Sequence, residues 1–290
     1  MIESTIVLLG GTGKTGRRIA QRLQARGVPV RIGSRCGEPP FDWQSPATWP
    51  AVLEGASSVY IAYSPDLAVP GAAEAIHSVA ELCRREGVQR LVLIAGRGEP
   101  EAERCERIVR DAGIEWTVLR VSWFAQNFSE SHLLDPILAG RVELPAGTVG
   151  EPFVDAEDIA DVAAAALTEE RHGGQLYELT GPRLWTFADA ISEIARASGR
   201  TIHYRDVSVE EYAASLEHSQ IPPEYISLLT YVFREVLDGR NAWVADGVTR
   251  ALGRPPRDFT DYVRRTAATG VWDLGCEAAA GDDAACESAA

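Results

Sequence analysis

The residues best suited to chemistry stand near the start of the chain, in the run Leu9-Gly10-Gly11-Thr12-Gly13-Lys14-Thr15-Gly16. Gly10, Gly13 and Gly16 satisfy GxxGxxG, while Gly11, Gly13 and Gly16 satisfy GxGxxG. Glycine permits a tight turn and lets backbone N–H groups approach a pyrophosphate at a helix N-terminus. The context fits, because an apolar strand (Thr5–Leu9) precedes the run and a helical pattern over 14–26 follows it. A Walker P-loop ends in a similar Gly-Lys-Thr, but its first glycine would fall at Leu8. These residues predict a dinucleotide site; the alternative is a structural glycine turn without a ligand.

The second strand ends Arg31-Ile32-Gly33-Ser34-Arg35. A site selective for NAD places Asp or Glu at this end to hold the ribose 2′-hydroxyl. No acid stands there. Ser34 can hydrogen-bond a 2′-phosphate and Arg35 can pair with it as a planar fork. The expected cofactor is therefore NADPH rather than NADH, unless Arg35 is merely a solvated surface residue.

What is missing matters as much. Lys14 is the sole lysine among 28 basic residues, so no Tyr-x-x-x-Lys dyad exists. The fourth strand ends Ala95-Gly96, where the serine accompanying such a dyad would lie. Reducing an ordinary ketone creates an alkoxide, which needs a positioned proton donor. Hydride addition to a quinone gives a phenolate, a weaker base that can take its proton from water, with orientation supplying much of the acceleration. The missing dyad points to an easily reduced acceptor or to no chemistry at all.

The elements that must position these residues follow from periodicity. Apolar strands at Thr5–Leu9, Val28–Ile32, Ser58–Ala62, Arg90–Ala95 and Trp116–Val121 alternate with helical patterns, notably 71–86 and 99–112. Such alternation predicts an α/β fold, a Rossmann-type doubly wound parallel sheet covered on both faces. The expected division is a dinucleotide-binding domain over 1–150, with a returning helix and strand from 151–182. A smaller, mainly helical substrate region over 183–270 and a disordered acidic tail over 271–290 complete it. Asp155 is expected to cap a helix, with Asp158 at the capping-box position.

Composition narrows the classes. The chain has 290 residues, 46% of them hydrophobic and 24% charged, which is ordinary for a globular protein. A formal charge of −14 argues against direct nucleic-acid binding. No apolar run is long enough to span a membrane, and the opening segment reads as a strand rather than a signal peptide, so a cytoplasmic location is expected. The five cysteines and five histidines show no zinc spacing, so no metal is expected.

Four segments together resemble the NmrA-like atypical short-chain dehydrogenases, in particular their NAD(P)H:quinone oxidoreductase branch. They are Gly10–Gly16, the strand end at 91–98, the run Leu119-Arg120-Val121-Ser122-Trp123-Phe124-Ala125-Gln126-Asn127-Phe128, and Pro152–Ala160. The resemblance spans roughly residues 3–255. It implies a Rossmann domain, a small C-terminal substrate domain and a cleft between them. It places cofactor contacts at Gly11, Thr12, Gly13, Lys14 and Thr15, at Arg35, and at Ala62, Tyr63 and Ser64, with Ala95 and Gly96 beside the nicotinamide ribose. The family also includes NADP-binding redox sensors without turnover and natural-product tailoring enzymes.

Trp123, Phe124, Asn127 and Phe128 follow the fifth strand and are expected to face the cleft. Aromatic rings there can stack on a planar substrate, and Asn127 can donate to a carbonyl. Alternatively Trp123 and Phe128 are core plugs and Asn127 satisfies a loop. His132 is a candidate proton donor or a packing histidine. Cys105 lacks a base partner, and Arg120 reads as a structural pairing residue. The expected activity is NADPH-dependent reduction of a quinone or conjugated aromatic small molecule by a monomer or homodimer. A sensor with a protein partner and a redox-neutral tailoring enzyme are the alternatives.

Overall fold

Side chains alternate along each strand of the central sheet and feed two cores. The computed structural model describes residues 5–273. In β1 (Thr5–Leu9), Val7 and Leu9 point to one face while Ile6 and Leu8 point to the other. Both sets are buried, so this strand reads as a continuous apolar run. The chain continues through α1 (Gly16–Ala25), β2 (Val30–Gly33), α2 (Trp49–Leu53), β3 (Ala56–Ile61), α3 (Ala72–Arg85), β4 (Arg90–Gly96), α4 (Pro100–Arg110) and β5 (Glu115–Val121). Then follow α5 (Leu134–Leu138), β6 (Arg141–Leu144), α6 (Ala156–Thr168), β7 (Gln175–Leu179), α7 (Phe187–Ser198), β8 (His203–Asp206), α8 (Val209–His218), α9 (Pro223–Tyr231), α10 (Gly247–Leu252) and α11 (Phe259–Ala267).

Six strands form a parallel sheet in the order β2-β1-β3-β4-β5-β7. The order reverses beside β1, which places the strand ends of β1 and β3 at a switch point where a crevice opens. Residues of α2, α3 and α4 cover one face and residues of α1, α6 and α10 cover the other. This is the doubly wound Rossmann-type sheet expected from the sequence. Among the described residues, no helix is long and apolar enough to cross a membrane. No cluster of three His, Cys, Asp or Glu among them could hold a metal.

A third core lies beyond the carboxyl ends of the strands. It joins Phe128, Phe153, Phe187, Phe233 and Phe259. Two boundaries differ from expectation here. The segment 134–146, expected in the first domain, packs into this third core, and its β6 pairs in parallel with β8 (Val142 opposite Tyr204). A four-residue strand of two apolar and two polar side chains carries no signal that says which sheet it joins. Trp272, expected within the tail, is fully buried, and its indole N–H donates to the Phe128 carbonyl at 2.9 Å. The remainder of the expected tail, from 274 onward, lies outside the described residues.

Arginine–carboxylate pairs bind the layers together. Arg18 and Arg22 of α1 reach Glu157 and Asp161 of α6. Asp155 caps α6 by accepting from the Glu157 N–H at 3.0 Å. Asp158 does not complete a capping box. Its buried carboxylate accepts instead from the Arg257 amide at 2.6 Å and pairs with Arg254 at 2.8 Å, tying the C-terminal segment to α6. Arg120 pairs with Glu106 at 2.6 Å and Glu178 at 3.2 Å, a structural role.

Candidate functional site

The glycine loop turns as its sequence requires. Gly10 has φ +80°, and a Cβ there would lie 2.8 Å from the Ala62 carbonyl oxygen. At Gly16 a Cβ would lie 2.2 Å from the Gly10 oxygen and 2.6 Å from the Gly11 Cα. The first turn of α1 therefore presses directly on the loop, which only glycine allows. A Cβ on Gly13 would meet only the Gly10 oxygen, at 3.3 Å, and Thr12 beside it is exposed; this is the open side of the loop. The leading amides of a helix lack intrahelical acceptors and carry the positive end of its dipole. The cradle thus fits a phosphate-bearing ligand. Thr15 is buried and shares a 2.8 Å hydrogen bond with the Tyr60 hydroxyl, so it also anchors the loop to β3.

Ser34 and Arg35 follow β2. The Ser34 carbonyl accepts from Phe41 N at 2.8 Å, and Arg35 is exposed. Arg31, on the same strand, is committed elsewhere: its guanidinium donates to the Val52 and Glu54 carbonyls, each at 2.7 Å.

A cavity of about 350 Å³ opens where the strands end. Lys14, Thr15, Ala62, Tyr63, Ala95 and Gly96 form its sheet side. Trp123, Phe124, Asn127 and His132 form a second side, and Leu228, Leu229, Val232, Val236 and Leu237 roof it. The structure therefore brings these sequence-selected residues together. Gly10, Gly11, Thr12, Gly13, Gly16, Ser34, Arg35 and Ser64 lie outside the cavity wall. Tyr63 packs on Trp43, with ring centroids 4.8 Å apart.

Phe128 does not face the cleft. It is fully buried, edge-on to Phe153 at 5.2 Å and to Phe259 at 5.4 Å, and is a core plug. Trp123 does both jobs, lining the cavity while packing edge-on to Phe187 at 5.3 Å. Its segment is sewn to residues 151–156. Ser122 Oγ donates to the Pro152 carbonyl at 2.7 Å, and the Ala125 amide to the Val154 carbonyl at 2.8 Å. Buried Gln126 accepts from the Ala156 amide and donates to Asp155, both at 2.8 Å. This stitching explains why both motifs occur in one chain: together they hold Phe124 and Asn127 in the wall.

His132 cannot serve as a cationic proton donor near neutral pH. Burial, aided by the charge of Lys14, pushes its pKa down to about 4, so the ring is neutral. Cys105 is buried, and its thiol is pushed up to about 12. Acids that sequence reasoning did not single out line the same cavity: Asp66, Glu99 and Glu151. Burial raises Glu151 to about 7, against the Trp123 amide that donates to it at 3.1 Å and the Arg97 charge. Burial also raises Asp66. Glu99 is raised to about 8 by burial, then by the charge and hydrogen bond of Asp66. Glu99 stands before Pro100 at a helix start, where a carboxylate ordinarily reads as a cap. That ordinary reading conceals it.

No protein-family model matches the chain. It is 30% identical over 278 residues to (4-alkanoyl-5-oxo-2,5-dihydrofuran-3-yl)methyl phosphate reductase of Streptomyces griseus, covering 89% of this chain and 96% of that one. It is 29% identical to an oxidoreductase of Bacillus subtilis, covering 94% and 99%. Among solved structures, the NADPH complex of an Escherichia coli NADPH-dependent quinone oxidoreductase aligns with TM-score 0.73 at 22% identity, covering 90% of this chain and 99% of that one. NmrA, a negative transcriptional regulator, aligns with TM-score 0.67 at 18% identity, covering 92% and 98%. With the reductase likeness running through both sheet and roof, the chain belongs to the NmrA-like, atypical short-chain dehydrogenase/reductase family of oxidoreductases.

Proposed function

We propose that this protein is an NADPH-dependent reductase of a flat, conjugated small molecule such as a quinone. The observation that carries the reading is the continuity of one cavity, from Lys14 and Thr15 of the glycine loop to an apolar roof of α9 and the residues after it. Ligands of open parallel sheets bind beyond the strand carboxyl ends at a switch point, which is where this cavity lies. Bound NADPH would supply the hydride.

In this reading the amides of residues 11–16 hold the pyrophosphate, and Ser34 with Arg35 reads the 2′-phosphate. Ala62, Tyr63 and Ser64 flank the nucleotide, while Ala95 and Gly96 lie beside the nicotinamide ribose. Phe124 and Trp123 give a planar acceptor a wall to lie against, and Asn127 offers its amide to a carbonyl. The apolar roof excludes water, which strengthens each polar contact within. The reductases and quinone oxidoreductase among its relatives and neighbours support the reaction class.

A fluorescence titration with NADPH and NADH, followed by NADPH oxidation on a panel of quinones, tests the reading. Tight NADPH binding with turnover on at least one quinone is expected. Binding without turnover on any acceptor would replace it with a nucleotide-sensing role.

A further inference from the structure

Two carboxyl groups, Asp66 and Glu99, stand together in the cavity wall, each acting on the other's ionisation. Glu99 is only 6% exposed, although it lines the cavity. As the residue preceding α4 it could cap that helix, yet its side chain accepts no cap hydrogen bond. It turns back over the end of β4. A Cβ built on Gly96 would lie 2.2 Å from Glu99 Oε1. The carboxyl thus fills the space that a side chain at residue 96 would take, at the strand end where the hydroxyl of a serine-tyrosine-lysine enzyme would stand. Asp66 meets it from the turn after β3, held by the Ala68 amide donating to its Oδ1 at 2.7 Å. Glu99 Oε2 is buried and has no hydrogen-bond partner among the described residues. Two adjoining carboxyls hydrogen-bond each other only when one of them keeps a proton.

We propose that the Asp66–Glu99 pair is the proton donor of this site, and that it extends the acceptor class from quinones to conjugated carbonyl compounds whose reduced forms are too basic to take a proton from water. The inference rests on the reductase reading above. The acceptor gains two electrons and one hydrogen as hydride from NADPH, forming a C–H bond. The carbonyl π pair moves onto oxygen, which takes the shared proton from Glu99. The pair, left doubly anionic, regains one proton from water before the next turnover.

The surroundings suit this cycle. Burial raises the pKa values of both Tyr231 of α9 and Cys105 of α4, the thiol to about 12; Tyr231 also feels the charges of Glu99 and Asp66, and Cys105 that of Asp66. Neither ionises where the pair does. Arg97 is near in sequence, but its guanidinium is turned to the Asn241 and Trp243 carbonyls and towards Glu178. Glu151 faces Arg97 and Trp123, and His132 faces Lys14.

The test measures NADPH oxidation by the full chain with 1,4-naphthoquinone and with 4-phenyl-3-buten-2-one between pH 6 and 10. With the enone, kcat should fall about tenfold per pH unit above pH ~8. Glu99→Gln should lower kcat about 100-fold and abolish that limb, with NADPH affinity and KM little changed. Asp66→Asn removes the like charge and should move the limb to lower pH, which a merely structural role would not do. Independently of turnover, ¹³C-glutamate NMR of the ligand-free protein should show one carboxyl titrating near pH 8 that is missing from Glu99→Gln. Quinone turnover with no enone turnover, a flat pH profile, or no titrating glutamate above pH 7 would overturn the proposal and leave the reductase reading standing. NADPH binding without turnover on either acceptor would overturn both.

Discussion

The guanidinium of Arg97 lies 3.8 Å from the ring centre of Trp243, joining the end of β4 to the C-terminal part of the chain. The same side chain donates to the Trp243 carbonyl at 3.0 Å, and Asn241 Nδ2 returns a bond to the Arg97 carbonyl at 3.0 Å. Arg97 is 4% exposed and lines the cavity, while Trp243 is 48% exposed and covers the guanidinium from the solvent side.

Trp243→Ala removes only the stacking partner and should cost about 0.5–2 kcal/mol. Arg97→Ala should cost more, about 3 kcal/mol, because the Asn241 and Trp243 carbonyls lose their donor and Glu178 loses an ion-pair partner 3.7 Å away. Urea unfolding of both variants checks the ranking; equal losses would mean that the stacking dominates.

Gly16→Ala places a methyl group against the Gly10 oxygen and Gly11 Cα, neither of which is a flexible side-chain end. It should destabilise the fold by about 1–3 kcal/mol and abolish measurable NADPH binding. Gly13→Ala meets a single atom at 3.3 Å and should fold nearly as well as the parent. Melting curves and NADPH fluorescence titrations of the two variants separate packing from ligand approach.

Arg35→Ala should weaken NADPH binding at least about tenfold, the scale of one charge-assisted contact, with little change for NADH. Equal losses for both nucleotides would show that this arginine does not read the 2′-phosphate.

Stability should fall as pH rises from about 6.5 to 8.5. Glu99 and Glu151 have folded-state pKa values raised to about 8 and about 7. The stability tied to keeping them protonated is complete below the unfolded carboxyl range and is lost as pH climbs to these values. His132 works in the opposite sense: its depressed pKa of about 4 adds stability as pH rises towards 6.5 and nothing beyond. Above 6.5 the carboxyls therefore act alone among these groups. Glu99→Gln should flatten the slope by an amount on the order of 1–3 kcal/mol across the window. Melting temperatures of parent and variant at pH 6.5 and 8.5 provide the measurement.

Local rules made part of the site legible in advance. An apolar strand, a glycine turn and a helix lie adjacent in the chain, so periodicity and φ preferences suffice to place Gly10–Gly16 and the sheet that carries them. Arg35 and the residues at 95–96 follow from strand ends for the same reason. The run 119–128 showed that aromatics follow β5, but a strand end does not say which ring turns inward. Phe128 became a core plug and Phe124 a wall because Ser122, Ala125 and Gln126 are bonded to residues 152–156, about thirty positions away.

The acids were the least legible. Asp66 and Glu99 lie 33 positions apart, one in a turn and one before a helix, where carboxylates are commonplace. Their kinship is set by two neighbouring strands, β3 and β4, whose ends deliver them to the same small, dry volume. Sequence alone determined the strand–turn–helix, the parallel sheet and the absence of a lysine-tyrosine dyad, because each is a property of neighbours or of the inventory. Tertiary structure alone decided which carboxyls are stripped of water and share a proton, because desolvation depends on everything packed around a group and not on what adjoins it in the chain.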